Sequence, residues 1–102
     1  MNSQPASEGL KPESKIQGTA SVVWRRVEDS IVLVHLGTNR TYELNRTGGR
    51  LWELLEGGST YGAALATLRS EFDVGDGQLQ SEARELITLL FDEQLAEESH
   101  PS

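Results

Sequence analysis

The sequence predicts an α+β fold of the winged-helix-like kind, with a three-stranded antiparallel meander followed by three helices. Two patterns indicate this order: β-branched and aromatic residues concentrate between residues 21 and 44, and later apolar residues recur at helical spacing. The chain has 102 residues, which allows one domain. We place that domain at residues 19–98, between flexible tails at 1–18 and 99–102.

The strands are predicted from short runs separated by turn residues. Residues 21–27 form the first run, and residues 28–30 form a polar turn. Residues 31–36 are almost continuously apolar, as in a central strand that is covered on much of both faces. Gly37-Thr38-Asn39 suits a tight hairpin, and residues 40–44 then alternate between polar and apolar side chains.

Three amphipathic segments predict the helices. Asn45 is a good N-cap for the first helix, which ends at Gly57-Gly58, and Ser59 or Thr60 caps the second. The third is expected from about Leu79 to Ala96. It is more apolar than one-sided packing requires, so we expect one of its flanks to form a groove wall.

The N-terminal eighteen residues are predicted to be a flexible tail. They hold Pro5 and Pro12, and their two large aliphatic residues, Leu10 and Ile16, stand alone in a polar context. Such a stretch buries too little apolar surface to offset the entropy of ordering. The chain has no cysteine, no secretory h-region and no apolar run of bilayer length, so we expect a soluble cytoplasmic protein with no membrane partner.

The net charge of −7 is unevenly distributed along the chain. Residues 1–50 carry a net +2, whereas residues 51–102 carry −9. An acidic C-terminal half repels nucleic acid and attracts a basic partner. The other interpretation is a solvated helix surface that carboxylates keep soluble.

No residue pattern indicates an enzyme or a cofactor. The two histidines, His35 and His100, lie far apart, and a single strand histidine suits a hydrogen-bonded structural role better than a metal site. The segment Asp73–Gly77 lacks the oxygen spacing of a calcium loop. In Thr47-Gly48-Gly49-Arg50 the glycines suit close approach of a helix to the sheet better than anion binding.

Two segments carry a resemblance to a known family. Residues 42–48, Tyr-Glu-Leu-Asn-Arg-Thr-Gly, and residues 51–57, Leu-Trp-Glu-Leu-Leu-Glu-Gly, resemble the signature of the pyrroloquinoline-quinone biosynthesis protein D family. Leu86-Ile87, Leu90 and Leu95 are similar to its final helix. The Pro-Glu pair frequent after the second strand is replaced by Leu36-Gly37-Thr38-Asn39, which favours a lasso-peptide type of pathway. The C-terminal Leu95-Ala96-Glu97-Glu98 also departs from the family's usual ending.

The resemblance implies a non-catalytic protein that binds the leader of a ribosomally made precursor peptide. The leader would add as a fourth strand to the free edge of the third predicted strand, beside the last helix. It would place aromatic, proline or leucine side chains in the groove and a basic residue near Glu82, and the complex would be passed to a maturation enzyme such as a leader protease. The expected leader-binding residues are Arg40, Thr41, Tyr42, Glu43, Leu44, Glu82, Ala83, Leu86 and Leu89.

Three alternatives stay open at this point. Tyr42, Leu44 and Leu86 can also be core residues, and for Leu44 and Leu86 that interpretation is the favoured one. A winged-helix DNA-binding domain would share the fold, although the second and third helices carry only Arg69 and Arg84. A metal-binding or enzymatic domain is the third alternative. Within the family that the sequence resembles, the alternative to a lasso-peptide pathway is the same leader-binding role in a pyrroloquinoline-quinone-type pathway. Without a leader, the exposed edge strand could also pair two copies of the protein.

Overall fold

A computed structural model describes residues 10–99, and its elements follow the predicted order with one further strand at each end. The α+β class and the meander followed by three helices are confirmed. Short turns join the meander strands, with left-handed backbone at Glu28 and Asn39. The elements are β1 (Lys15–Gly18), β2 (Val22–Val27), β3 (Ser30–His35), β4 (Thr41–Leu44), α1 (Arg46–Glu56), α2 (Tyr61–Glu71), α3 (Asp76–Asp92) and β5 (Ala96–Ser99).

The meander sheet has the order β2-β3-β4, with β3 in the centre. The two faces of β3, both of which were expected to be covered over much of their area, are covered unequally. Ile31, Leu33 and His35 are buried, whereas Val32 and Val34 between them are only half-buried. Alternation of side chains therefore separates a core face, on which α1 packs, from an outer face.

The core lies between the inner face of the sheet and the helices. The first helix approaches β3 closely because Gly49 has no side chain: a Cβ built there would lie 2.8 Å from Ile31 Cγ1. The expectation of close helix–sheet contact at these glycines is confirmed. No helix among residues 10–99 is long and apolar enough to cross a bilayer. The largest fully buried side chains are those of Ile31, Leu33, Leu51, Trp52, Leu68, Leu79, Ile87, Leu90 and Leu95.

The predicted boundary of the N-terminal tail is wrong for its last residues. Lys15–Gly18 forms β1, which pairs antiparallel with β5, and Ile16 is only 2% exposed. Just before β1, the carbonyl of Ser14 accepts a hydrogen bond of 2.8 Å from the Tyr61 amide at the start of α2. The hydrogen-bond partners of residues 15–18 lie 38 or more residues away in sequence, so local composition does not reveal them.

The last helix ends earlier than predicted, at Asp92 instead of about Ala96. Gln94 adopts a left-handed φ of 59°, and the Leu95 amide donates to the Leu90 carbonyl at 2.8 Å. This is a Schellman ending with glutamine in the position that glycine usually occupies, so no sequence signal marks it. The chain then extends as β5, and Ser99, expected in the flexible C-terminus, belongs to that strand. Residues 1–9 and 100–102 of the predicted tails lie outside the described residues.

Candidate functional site

Strand β4 presents a free edge. Within residues 10–99 it pairs only with β3, in a register that joins Thr41 to Val34 and Leu44 to Ile31. Just before the strand, the His35 amide donates to the Arg40 carbonyl at 2.9 Å. One side of the β4 backbone is therefore satisfied by β3, and the other side has no partner strand.

The register decides which backbone groups face outward. Because His35 and Arg40 form a hydrogen-bonded pair, alternation makes Tyr42 and Leu44 the next residues bonded to β3. The N–H and C=O groups of Thr41 and Glu43 consequently point away from the sheet. Two residues of β4 can thus pair with an added strand.

A cavity of about 370 Å³ lies beside this edge, between β4, the start of α1 and one flank of α3. We call it the β4–α3 groove. Leucine side chains and Ala83 supply its apolar surface, and three glutamates are its charged side chains. Its lining residues are Glu43, Leu44, Asn45, Thr47, Gly48, Leu51, Leu68, Leu79, Glu82, Ala83, Glu85, Leu86 and Leu89.

Small residues keep the groove open. The Asn45 side chain caps α1 by accepting a hydrogen bond of 2.8 Å from the Gly48 amide, which fixes the first turn of the helix beside β4. A Cβ built on Gly48 would lie 3.3 Å from Leu86 Cδ2 on α3. Ala83 is buried on the facing turn of α3. Larger residues at positions 48 and 83 would therefore bring the two walls together.

Six of the nine residues expected in the site line this one groove: Glu43, Leu44, Glu82, Ala83, Leu86 and Leu89. Leu86 is half-buried and Leu89 is 39% exposed, so both have surface available to a ligand. Leu44 is only 5% exposed and therefore serves as core and groove wall at once.

Arg40, Thr41 and Tyr42 are not among the lining residues. Thr41 is exposed at the β4 edge, whereas Arg40 and Tyr42 both contact Glu93 at the C-terminus of α3. The Tyr42 hydroxyl donates to Glu93 Oε1, and Arg40 Nη1 lies 3.1 Å from the same oxygen. We call these three side chains the clasp, because they tie β4 to α3 beyond the groove.

The hydrogen bonds of the clasp shift the ionisation of its members. The bond from Tyr42 lowers the pKa of the Glu93 carboxyl, and the nearby Arg40 adds to this effect. The same bond to Glu93 raises the pKa of the Tyr42 hydroxyl. At neutral pH the clasp therefore consists of a carboxylate between a phenol and a guanidinium.

Sequence reasoning missed Glu93, Glu85 and the α1 residues Asn45, Thr47 and Gly48. Glu85 lies three residues after Glu82, and Glu93 lies four residues after Leu89. This helical spacing places both on the flank of α3 that was already predicted to line the groove, so it could have identified them. The position of α1 could not have been found in this way, because it depends on how the helix meets β4.

The part of the chain that the structure describes contains no group of three or more His, Cys, Asp or Glu side chains arranged to hold a metal ion. His35 is buried, and its Nδ1 accepts hydrogen bonds from the amides of Gly37 and Thr38 at 3.0 and 3.2 Å. Its predicted structural role is confirmed, since these bonds shape the turn before β4.

Comparison with known proteins gives a consistent family and fold. The family model "Coenzyme PQQ synthesis protein D (PqqD)" matches residues 30–96, more than half of the chain. A solved structure of TbiB1 in complex with the TbiA(beta) leader peptide is similar, with 26% identity, a TM-score of 0.74, and 84% of this chain and 99% of that chain covered.

A second solved structure, lasso peptide synthetase B1 complexed with the leader peptide, has 18% identity and a TM-score of 0.73. The match covers 81% of this chain and 98% of that chain, and it supports the fold. No curated protein sequence matches the chain at a significant level.

Proposed function

Because this chain belongs to the PqqD family, we propose that it is a non-catalytic recognition protein for the leader segment of a ribosomally synthesised precursor peptide. The leader adds to β4 as a fourth strand and lies along the β4–α3 groove. The observation that carries this proposal is the free β4 edge beside an apolar cavity, since an edge alone would give affinity without side-chain selection.

Strand addition explains how the two parts of the site act together. The outward N–H and C=O groups of Thr41 and Glu43 hold the leader backbone. Alternate side chains of the leader then lie on the inner face of the sheet, which is the face that carries Tyr42 and Leu44. Apolar leader side chains enter the groove against Leu86 and Leu89, where burial removes their surface from water.

The solved structures that share this fold are complexes with leader peptides, and one of them is named as a lasso peptide synthetase component. We therefore favour a precursor of the lasso-peptide kind as the partner. The bound leader is passed to a maturation enzyme, for which a leader protease is the leading candidate. We place this activity in the cytoplasm, where precursor peptides are translated.

The test is a titration of the protein with synthetic leaders from short precursor genes that adjoin its own gene. Fluorescence anisotropy of labelled peptide reports binding, and a scrambled leader of the same composition is the control. We expect saturable binding of one leader at micromolar concentration or below. If no adjoining leader binds better than its scramble, the proposal is wrong.

A DNA-binding function receives little support from the charges of the helices. The groove beside α3 is lined by Glu43, Glu82 and Glu85, and a phosphate backbone would be repelled there. Titration with duplex DNA at low ionic strength serves as the counter-test.

A further inference from the structure

We propose that Glu43, Glu82 and Glu85 select leaders that carry a lysine or arginine beside the apolar side chain that enters the groove. This inference rests on the proposed function and specifies the chemistry of the ligand. It adds an electrostatic condition to a site otherwise defined by backbone pairing and apolar fit.

The three carboxylates belong to two walls of one cavity. Glu82 and Glu85 are three residues apart on α3 and therefore share a face of that helix, while Glu43 belongs to β4 on the other wall. All three line the β4–α3 groove and are exposed. No lysine or arginine is among the residues that line this cavity.

Several other acidic side chains of the domain form ion pairs with arginine. Glu71 accepts from Arg50 at 2.9 Å, and Glu93 from Arg40 at 3.1 Å. Glu53 likewise bonds to Arg26. These ion pairs engage Arg26, Arg40 and Arg50 away from the groove.

The three groove carboxylates differ from those acids. Within residues 10–99, Glu43, Glu82 and Glu85 form no salt bridge. Arg84 adjoins Glu85 in sequence, but successive residues of a helix point in different directions, and Arg84 is not among the residues that line the groove. The free protein therefore keeps negative charge on both sides of an apolar floor.

This arrangement fits a long cationic side chain. The aliphatic part of a lysine or arginine can pack on the apolar surface near Leu86 and Leu89 while its charged end reaches the carboxylates at the mouth. Binding also relieves repulsion among the three glutamates. An acidic side chain at the same place would meet like charge, so the groove rejects leaders of the wrong charge as well as favouring the right one.

The competing explanation is that these carboxylates only keep an exposed helix soluble. The two explanations differ in what neutralisation does. If the glutamates contact the leader, glutamine at these positions weakens binding and reduces its dependence on salt. If they only provide solubility, the same changes leave the affinity unaltered.

The experiment uses the full chain and the synthetic leaders of adjoining precursor genes. Glu82→Gln, Glu85→Gln and Glu43→Gln are made singly and together, with Glu97→Gln on β5 as the matched control because Glu97 is exposed and lies outside the groove. Each single change should raise the leader Kd by about threefold, as expected for an exposed ion pair, and the triple variant by about tenfold or more. Circular dichroism confirms that each variant is folded.

The leader is varied in parallel. Replacing one particular lysine or arginine by glutamine should weaken binding to the native protein but not to the triple variant. The Glu82→Lys variant should in turn prefer an altered leader, in which that lysine or arginine is replaced by glutamate, over the original leader. This exchange of charge identifies direct contact, because a general change of solubility would not restore the altered pair.

The outcomes separate the two proposals. A leader that binds saturably but whose Kd is insensitive to its basic residues and to the triple substitution overturns the charge inference and leaves the proposed function intact. A bound leader segment without lysine or arginine does the same. Failure of every adjoining leader to bind the native protein overturns the proposed function itself.

Discussion

The Tyr42 hydroxyl on β4 donates a hydrogen bond to Glu93, which caps the C-terminus of α3 fifty-one residues later in the chain. Leu89, one turn earlier on the same helix, lines the groove, and so does Glu43, the neighbour of Tyr42 on β4. The contact therefore joins the two walls of the groove beyond its end. It sets the distance between a sheet edge and a helix that are otherwise separate parts of the site.

The clasp predicts a specific dependence of stability on pH. The pKa of Glu93 is lower in the folded protein than its ordinary value of 4.5, so its ionised form stabilises the fold above that value. This contribution is lost as the pH falls through the lowered pKa. We expect the native protein to be more stable than Glu93→Gln at pH 7, and the difference to shrink on acidification.

Urea midpoints of the two proteins between pH 7 and pH 3 measure this difference directly. Subtracting the urea midpoint of the variant from that of the native protein at each pH removes the contributions of other carboxyls, such as Glu71, that titrate in both proteins. A difference that stayed constant across this range would mean that Glu93 does not gain its contribution from ionisation.

Proline substitutions test the orientation of β4. Tyr42→Pro and Leu44→Pro remove amides bonded to β3, and we expect each to destabilise the domain by about 3 kcal/mol or more. Thr41→Pro removes an outward amide and should leave the domain folded while raising the leader Kd by about tenfold. Thermal unfolding and leader titration measure the two effects.

Thr41→Val is the matched control, because it keeps the amide and changes only the side chain. It should bind the leader at nearly native affinity. Normal leader binding by a folded Thr41→Pro variant would show that the leader does not pair with β4 at this position.

Alanine substitutions at the adjacent residues Gly48 and Gly49 should have different effects on stability and leader binding. At Gly49 a Cβ would lie 2.8 Å from Ile31 Cγ1, and we expect Gly49→Ala to cost about 1–3 kcal/mol of stability. At Gly48 the nearest atoms lie at 3.2 and 3.3 Å, and the gain in helix propensity offsets part of that crowding. Gly48→Ala should therefore stay folded but weaken leader binding, because its methyl group narrows the groove.

Denaturant unfolding and leader titration of both variants test this pair. The informative result is the contrast between them. If Gly48→Ala bound the leader as the native protein does, the leader would not reach the part of the groove beside α1.

The N-terminal strand should be important for stability. Ile16 is 2% exposed, so Ile16→Ala should cost about 2–4 kcal/mol, a normal loss for a buried aliphatic side chain. Gln17 is the exposed neighbour in the same strand, and Gln17→Ala should change stability by less than about 0.5 kcal/mol. Equal stability of the two variants would mean that β1 does not pack in solution as the structure describes.

Much of the fold was predictable because it is encoded locally. The turn residues 37–39, the alternation through Thr41–Leu44 and the Asn45 cap place the meander and the first helix almost where they are found. The resemblance on residues 42–57 predicted the family, and the match of the family model over residues 30–96 confirms it. The residues assigned to leader contact stay predictions, which the substitutions above test.

What local sequence could not provide was pairing between distant segments. Ile16 looked isolated because its partner strand β5 lies 80 residues later, and Gln94 ended α3 without the glycine that usually marks such an ending. The sequence did not show that Arg40 and Glu93, 53 residues apart, meet in the clasp.

The sequence by itself determined the order of the three meander strands and the three helices, their turns and their apolar faces, because neighbouring residues decide these features. A free edge on β4 and a groove wall on α3 were expected from the sequence. Only the tertiary structure decided that no other described strand covers that edge, that α1 meets α3 to enclose the groove, and that three carboxylates without salt bridges line it. The physical reason is that an unpaired edge and an open cavity depend on which distant segments pack there and which do not.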